Sequence, residues 1–218
     1  MISIITWNCQ GAGKKNFVRN FRELLRAHKP EVVVVVEPRI SGFRATRVIS
    51  RLNFQNSHRV EARGFAAIYA CPQDGWRKFL WRNLETIAMN TSEPWLLGGD
   101  FNAILAGHER RNGAGRHGLA NKAFQECFSK CNLIDLGFID NKFTWKRGIY
   151  HARLDRFLCN GAWRLMYPEA TVRHLPRVGS DHCPLLLMNG LSPSPKAQRP
   201  FRFQAAWLAH PSFEEFVK

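Results

Sequence analysis

At 218 residues, with 45% apolar content, the chain can bury one sizeable α/β core or two small ones. Its 32 Lys and Arg outnumber its 17 Asp and Glu and leave a formal charge of +15, which points to a polyanionic partner, most simply nucleic acid. The longest apolar run, Val32 to Val36, is strand-sized rather than membrane-spanning, and Met1-Ile2-Ser3-Ile4-Ile5 lacks the basic start of a signal peptide. A nuclear or cytoplasmic protein is therefore expected, not a secreted or membrane one.

Strand and helix patterns alternate along the chain. Ser3 to Asn8 reads as a strand. Phe17, Phe21, Leu24, Leu25 and His28 recur at helical spacing before Pro30. The five valines and Glu37 read as a strand buried on both faces, and Arg44 to Leu52 as a short helix. Phe65 to Cys71 is the next strand. Trp76, Leu80, Leu84, Ile87 and Ala88 mark a helix, and Trp95 to Gly99 a strand entering a Gly-Gly-Asp turn. A third helix carries Leu119, Ala123, Phe124 and Cys127. Shorter strands follow at Leu133–Leu136, Phe143–Trp145, Arg153–Leu158, Thr171–Leu175 and Pro184–Met188. The class is mixed α/β. Residues 1–190 read as the domain. Residues 191–218, opening on Leu191-Ser192-Pro193-Ser194-Pro195, read as a linker and the stub of a neighbouring domain.

Chemistry-bearing side chains concentrate where apolar strands meet loops. Glu37 follows the valines, Asp100 follows Leu97-Gly98-Gly99, and Asp181 precedes Pro184-Leu185-Leu186-Leu187. A carboxylate ending a buried strand is costly unless paired or metal-bound, although each alone also suits a turn or cap. His182 needs a partner to orient its ring. Asp155 is a candidate, with Arg153 or Arg156 as alternative partners for that acid. Asn8 and Asn102 can hold a water or a phosphoryl oxygen, and Asn102 could equally cap a helical turn. Tyr69 can reach a phosphate or sit half-buried in the core. Together these groups suit metal-assisted attack on a phosphodiester, with Mg²⁺, or Mn²⁺, as the hard cation for oxygen ligands.

The basic residues with the best address are Lys14 and Lys15 after Gly11-Ala12-Gly13, and Arg110, Arg111 and Arg116 just past Asn102. Both groups can meet a nucleic-acid backbone, and both also suit plain solvated loops. Gly11 to Lys14 lacks P-loop spacing. The six cysteines are scattered, without zinc-site spacing, and read as reduced thiols. No small-molecule cofactor is implied.

Trp7-Asn8, the Glu37 strand end, Gly99-Asp100-Phe101-Asn102, Arg153-Leu154-Asp155 and Ser180-Asp181-His182 occur in the order typical of the endonuclease/exonuclease/phosphatase superfamily, which the chain resembles. Longer strings narrow the resemblance: Trp7-Asn8-Cys9-Gln10-Gly11, Glu93-Pro94-Trp95 through Asn102, Leu133-Ile134-Asp135-Leu136-Gly137 and His174-Leu175-Pro176. They look like the N-terminal endonuclease domain of plant LINE-type (non-LTR) retrotransposon proteins. Arg199-Pro200-Phe201-Arg202-Phe203 resembles the segment leading to their reverse transcriptase. The resemblance implies a four-layer α/β sandwich, Mg²⁺ dependence and nicking of DNA.

By the same resemblance Glu37 is the main metal ligand and Asp181 assists metal or phosphate. Asp100 activates the water or serves the leaving group, Asn102 and Asn8 position water and phosphate, Asp155 orients His182, and Tyr69 contacts phosphate. Two departures stand out. Gln10 stands where many members of the superfamily have a shorter acidic or amide residue, and the stretch between Glu37 and Tyr69 is much shorter than in the family, as if Glu61-Ala62-Arg63-Gly64-Phe65 had been joined directly to the Tyr69 strand. An internal deletion leaving the first half of the sandwich incomplete is the corresponding expectation. A catalytically dead nucleic-acid-binding remnant and a phosphatase on a small phosphoester are the competing readings.

Overall fold

The computed structural model describes residues 2–40, 42–52, 65–112 and 121–189. The linker-and-stub reading of 191–218, the expected roles of Arg116 and Leu119, and the Glu61–Gly64 joint lie outside the described residues.

Among the described residues, three sheets are built from twelve strands. The first runs in the order β2 (Val32–Val36), β1 (Ile2–Asn8), β12 (Leu185–Asn189), β11 (Thr171–His174), β7 (Ile139–Asp140). The second runs β3 (Phe65–Tyr69), β4 (Leu96–Asp100), β10 (Asp155–Cys159), β6 (Ile134–Asp135). A small third sheet joins β5 (Arg110–Arg111), β9 (Tyr150–Ala152) and β8 (Trp145–Arg147). Five helices complete the fold: α1 (Phe17–His28), α2 (Gly42–Leu52), α3 (Asp74–Asn90), α4 (Lys122–Lys130) and α5 (Gly161–Met166). Among the described residues no helix is long and apolar enough to cross a membrane.

Strand alternation sorts the apolar side chains into four layers. Ile4, Leu96, Phe157, Leu185 and Leu187 point between the two large sheets. Ile5, Trp7 and Leu186, on the opposite faces, pack under α1 with Phe17, Phe21 and Leu24. Leu97 and Leu158 pack outward against Trp81 and Leu84 of α3 and Phe124 and Cys127 of α4. The order is helix, sheet, sheet, helix, as expected for an α/β sandwich. Both faces of the central strands are covered, so Leu96-Leu97 and Leu185-Leu186-Leu187 read as unbroken apolar runs.

The Gly98-Gly99 pair is required by close approach. A Cβ on Gly98 would run into the Phe157 ring of β10. Gly99 sits at φ +143, and a Cβ there would strike the backbone carbonyl of Ile68 on β3. The pair therefore lets β3 and β10 flank β4 tightly, just before Asp100.

One burial expectation fails. β2 is not buried on both faces: Val32 is 39% exposed and the other valines are half-buried. The cause is position. Among the described residues β2 pairs with β1 alone and forms the edge of its sheet, and β3 likewise pairs with β4 alone. Four elements escape sequence reading, namely α5, β5, β7 and β9. The two-residue strands β5 and β7 are too short to show a period, and β9 and α5 are a single hairpin arm and a short turn of helix.

Gly99→Ala is expected to lower unfolding free energy by at least about 2 kcal/mol, since it adds left-handed strain to a backbone clash. A denaturant midpoint equal to that of the parent chain would contradict this packing account.

Candidate active site at the strand ends

The two large sheets bring their chemistry to one edge. β1 ends at Asn8 and runs parallel to β2, with Asn8 opposite Val36, so Glu37 follows directly beside it. β3 ends at Tyr69, in register with Asp100 at the end of β4. β10 runs antiparallel to β4 and places Asp155 directly opposite Asp100. His182 arrives on the segment before β12 and bridges to Trp145 of β8.

Asp100 is 1% exposed. Its Oδ2 accepts from the Asn8 amide at 3.0 Å and from the Asn102 amide at 3.0 Å, and its Oδ1 accepts from the Asn102 backbone N–H at 2.9 Å. Burial pushes its carboxyl up to about 7, and the Asp155 charge adds to that. The His182 charge and the amide donors pull the other way. His182 Nδ1 is 2.8 Å from Asp155 Oδ2. Burial alone would lower the imidazole pKa, but the Asp155, Asp100 and Asp181 carboxylates outweigh it and raise it to about 9. At neutral pH the ring is therefore an imidazolium donating to Asp155. Its Nε2 stands 3.9 Å from Asp100 and 3.8 Å from Asp181, beyond hydrogen-bond reach, so this N–H is available to a substrate oxygen.

Asp155 thus pairs with His182, and the alternative pairing with Arg153 or Arg156 is not what the fold adopts. Asn102 does not cap a helix. It takes a left-handed backbone (φ 47) and its amide also donates to the Ala70 carbonyl at 2.9 Å. Both amide side chains donate to Asp100, which is a more specific task than the sequence assigned them.

Glu37 lies at φ 51 and accepts from the Tyr69 hydroxyl at 2.6 Å and from Arg39 at 2.9 Å. Tyr69 is 40% exposed rather than a core residue, and burial of its hydroxyl together with the Glu37 hydrogen bond raises its pKa. Asp181 accepts from Trp145 Nε1 at 3.0 Å and Arg147 at 3.1 Å, while its Oδ1 is buried with no hydrogen-bond partner.

Two groups could be considered for a metal ion. Asp100, Asp155 and His182 offer ligand atoms within 4.8 Å of one another. Within that cluster His182 bonds Asp155 and both amides bond Asp100. Glu37, the Asn8 amide oxygen and the orphaned Asp181 Oδ1 are hard oxygen donors, the type that suits a hard divalent cation, and the Asn8 oxygen also accepts from the Gln10 N–H at 3.1 Å.

The model of the endonuclease/exonuclease/phosphatase family matches residues 5–182, which takes in every one of these groups. The chain belongs to that family. Similar solved structures include an AP endonuclease from Leishmania major (15% identity, 87% of this chain and 88% of that one, TM-score 0.61). A 3′ phosphatase from Neisseria bound to a product DNA hairpin is also similar (14%, 88% and 100%, TM-score 0.60). So is the endonuclease domain of TRAS1, a telomere-specific non-LTR retrotransposon (13%, 88% and 99%, TM-score 0.59). At these identities the likeness concerns the fold. No curated protein sequence matches the chain significantly.

This member of the family braces its site with residues that the sequence reading passed over. Ser180 donates from its hydroxyl to the Asn8 carbonyl at 2.7 Å and accepts from the His182 backbone N–H at 3.1 Å. The buried Thr144 hydroxyl accepts from the N–H groups of Leu154 and Asp155, both at 3.0 Å, and its carbonyl accepts from Cys183 N–H at 2.7 Å. Beneath Asp155, Arg153 and Arg156 bind Glu109 and Asp135 at 2.6–3.1 Å in a buried network. The Arg-x-Asp-Arg pattern around Asp155 was the available signal, but its partners are distant in sequence. Of the expected backbone-binding residues, Lys14 donates to the Gly179 carbonyl at 3.1 Å and Lys15 is exposed. Arg110 and Arg111 lie on β5 opposite Ala152 and His151, Arg110 half-buried and Arg111 exposed.

Arg156→Ala leaves Glu109 and Asp135 short of donors in the interior and is expected to cost about 3–5 kcal/mol, read as a shift in urea midpoint. An unchanged midpoint would contradict a structural role. For His182, NMR titration is expected to show the ring protonated at neutral pH and losing its proton near pH 9. Its raised pKa contributes stability that is complete below about pH 6.5 and lost as pH rises through about 9. A ring already neutral at pH 7 would overturn the assignment.

Proposed function

We propose that this chain is a Mg²⁺-dependent DNA endonuclease, also served by Mn²⁺, that nicks one strand by phosphodiester hydrolysis. We further infer that it derives from a plant LINE-type retrotransposon. The observation that carries the reading is the Asp100–His182–Asp155 arrangement: a base and an acid with separated pKa values, presented at one edge of the family fold.

Asp100 is ionised above about pH 7 and can take a proton from an attacking water. Asn8 and Asn102 hold that carboxylate in one orientation. His182, kept charged and aimed by Asp155, offers its Nε2–H to a phosphoryl oxygen as negative charge develops. Tyr69 holds Glu37 through its hydroxyl at the same edge. A divalent cation held through Glu37, with the Asn8 amide and Asp181 as further oxygen donors, would neutralise phosphoryl charge and stabilise the leaving oxygen. The DNA preference rests on the net charge of +15 and on the retrotransposon-like strings.

Loss of a segment between β2 and β3 is the companion inference. Its support is that the two strands bracketing residues 53–64 are each paired on one side only among the described residues, β2 at the edge of the first sheet and β3 at the edge of the second. A second reading, a nucleic-acid binder without catalysis, is favoured by one contact. Arg39 ion-pairs Glu37 at 2.9 Å, where a cation is expected, and Gln10 adds no charge nearby.

Purified protein is expected to nick supercoiled plasmid with Mg²⁺, to stop with EDTA, and to lose at least about a hundredfold in rate in His182→Ala, the lower range for a positioned acid or oxyanion donor. Binding without nicking by folded protein would favour the second reading. Because Asp100 must be ionised and His182 protonated, the rate should rise through about pH 7 and fall through about pH 9. A flat profile over that range would remove both from proton transfer.

A further inference from the structure

We propose that the outer face of α1 and α2 is a docking surface for a nucleic-acid phosphate backbone, continuous with the catalytic edge but separate from its catalytic residues. The inference rests on reading the chain as a nucleic-acid enzyme, and concerns how the substrate is held away from the cut.

Arginine spacing is the starting observation. α1 carries Arg19, Arg22 and Arg26, and α2 carries Arg44, Arg47 and Arg51, each set at the i, i+3, i+7 spacing that forms one stripe of a helix. All six side chains are exposed, while the opposite stripe of α1 (Phe17, Phe21, Leu24) is buried on the first sheet. The stripes lie side by side, because the Arg22 guanidinium donates to the Arg51 carbonyl at 2.7 Å and 3.2 Å. Arg47 sits 4.9 Å over the exposed Phe43 ring, which holds its guanidinium at the surface.

Compensating acid is scarce on this face. α2 contains no acidic residue, and among the described residues only Arg19 of α1 has an acidic partner, Glu23 at 4.0 Å. The helices covering the other sheet differ. There Arg77 pairs with Asp74, Lys122 with Glu126, and Lys130 with Glu85. The uncompensated charge is therefore polarised to one side of the sandwich. A uniformly basic surface kept soluble by its charge would not distribute its ion pairs this way.

Placement links the face to the site. β1 and β2 are parallel and both end at the catalytic edge, so α1 and α2 start there and run away from it. A Cβ on Gly13, in the loop after Asn8, would lie 3.8 Å from the Arg44 guanidinium, and Lys14 in the same loop bonds the Gly179 carbonyl just before Ser180. Arg44 to Arg51 then spans about 10 Å along the helix axis. Successive phosphates of one duplex strand advance about 3.4 Å along the DNA axis, so such a row matches about three of them.

The test is the salt dependence of duplex binding. For Arg44→Ala/Arg47→Ala/Arg51→Ala, the slope of log affinity against log salt should become shallower by about 2 to 3, since each phosphate contact contributes about 0.9. Affinity at low salt should fall at least tenfold. Lys78→Ala/Arg82→Ala, on α3, should leave the slope unchanged. Thermal melting checks that the variants fold, and the exposed positions make that the expected result. A slope equal to the parent's, or an equal loss in the α3 variant, overturns the proposal. So does arginine-dependent binding to phosphatidylserine vesicles without binding to duplex DNA. If the parent nicks plasmid and the arginine variant keeps its slope, this proposal fails and the endonuclease reading stands. If the parent binds through these arginines but never nicks, the reverse holds.

Discussion

Two buried carboxylates directly opposite each other set the terms for the rest of this structure. Asp100 and Asp155 face across β4 and β10, 1% and 3% exposed. Opposed residues in an antiparallel pair lie about 4.5–5.5 Å apart at their Cα atoms, and like charges at that spacing repel strongly in an interior. The repulsion is relieved in two ways. His182 inserts a positive charge on Asp155, and the Asn8 and Asn102 amides donate to Asp100. Burial, and after it the Asp155 charge, outweigh these reliefs, and Asp100 keeps a pKa of about 7, the range where a carboxylate is still basic enough to accept a proton at physiological pH.

The scaffold makes that arrangement rigid by tying its parts to one another. Thr144 holds the backbone of Asp155 and the strand behind His182 at once, and Ser180 ties the His182 segment to the Asn8 carbonyl. The Gly98-Gly99 pair allows β3 and β10 to approach β4 closely enough that Tyr69, Asp100 and Asp155 finish side by side. Below them, Arg153 and Arg156 against Glu109 and Asp135 form a charge-balanced buried set. Such a set contributes little net stability against an apolar core, but removing one member is costly. It fixes the orientation of β10 on both sides of Asp155.

Most of this was legible in the chain where side chains and strand ends coincide. Acids at the ends of apolar runs, Glu37 and Asp100 after them and Asp181 before one, marked the shared strand-end edge because a buried run leaves only its ends for polar work. The partner of Asp155 was ambiguous because arginines stand two before and one after it, and only the fold shows them occupied by Glu109 and Asp135. Thr144 and Ser180 act through backbone contacts, which leave no compositional trace. The valine run misled for a physical reason: an apolar strand looks the same in sequence whether a neighbour covers its far edge or not. Short elements such as β5 and β7 exist because longer strands present partners to them.

The interior accounting bears on what the excess charge means. Among the described residues, buried Arg153 and Arg156 are matched by Glu109 and Asp135, buried Arg77 by Asp74, and His182 by Asp155, so these interior cations leave no surplus of positive charge. Surface charge of one sign opposes the compact state and is tolerated where it serves association. On the α3 and α4 side it is partly cancelled by ion pairs. On the α1 and α2 side the Arg19–Glu23 pair alone does so among the described residues, and that side begins at the same strand ends that carry Asn8 and Glu37. The candidate site and the arginine-rich face are thus consequences of one topological fact: parallel β1 and β2 send both their chemistry and the first turns of their helices to the same end of the sheet.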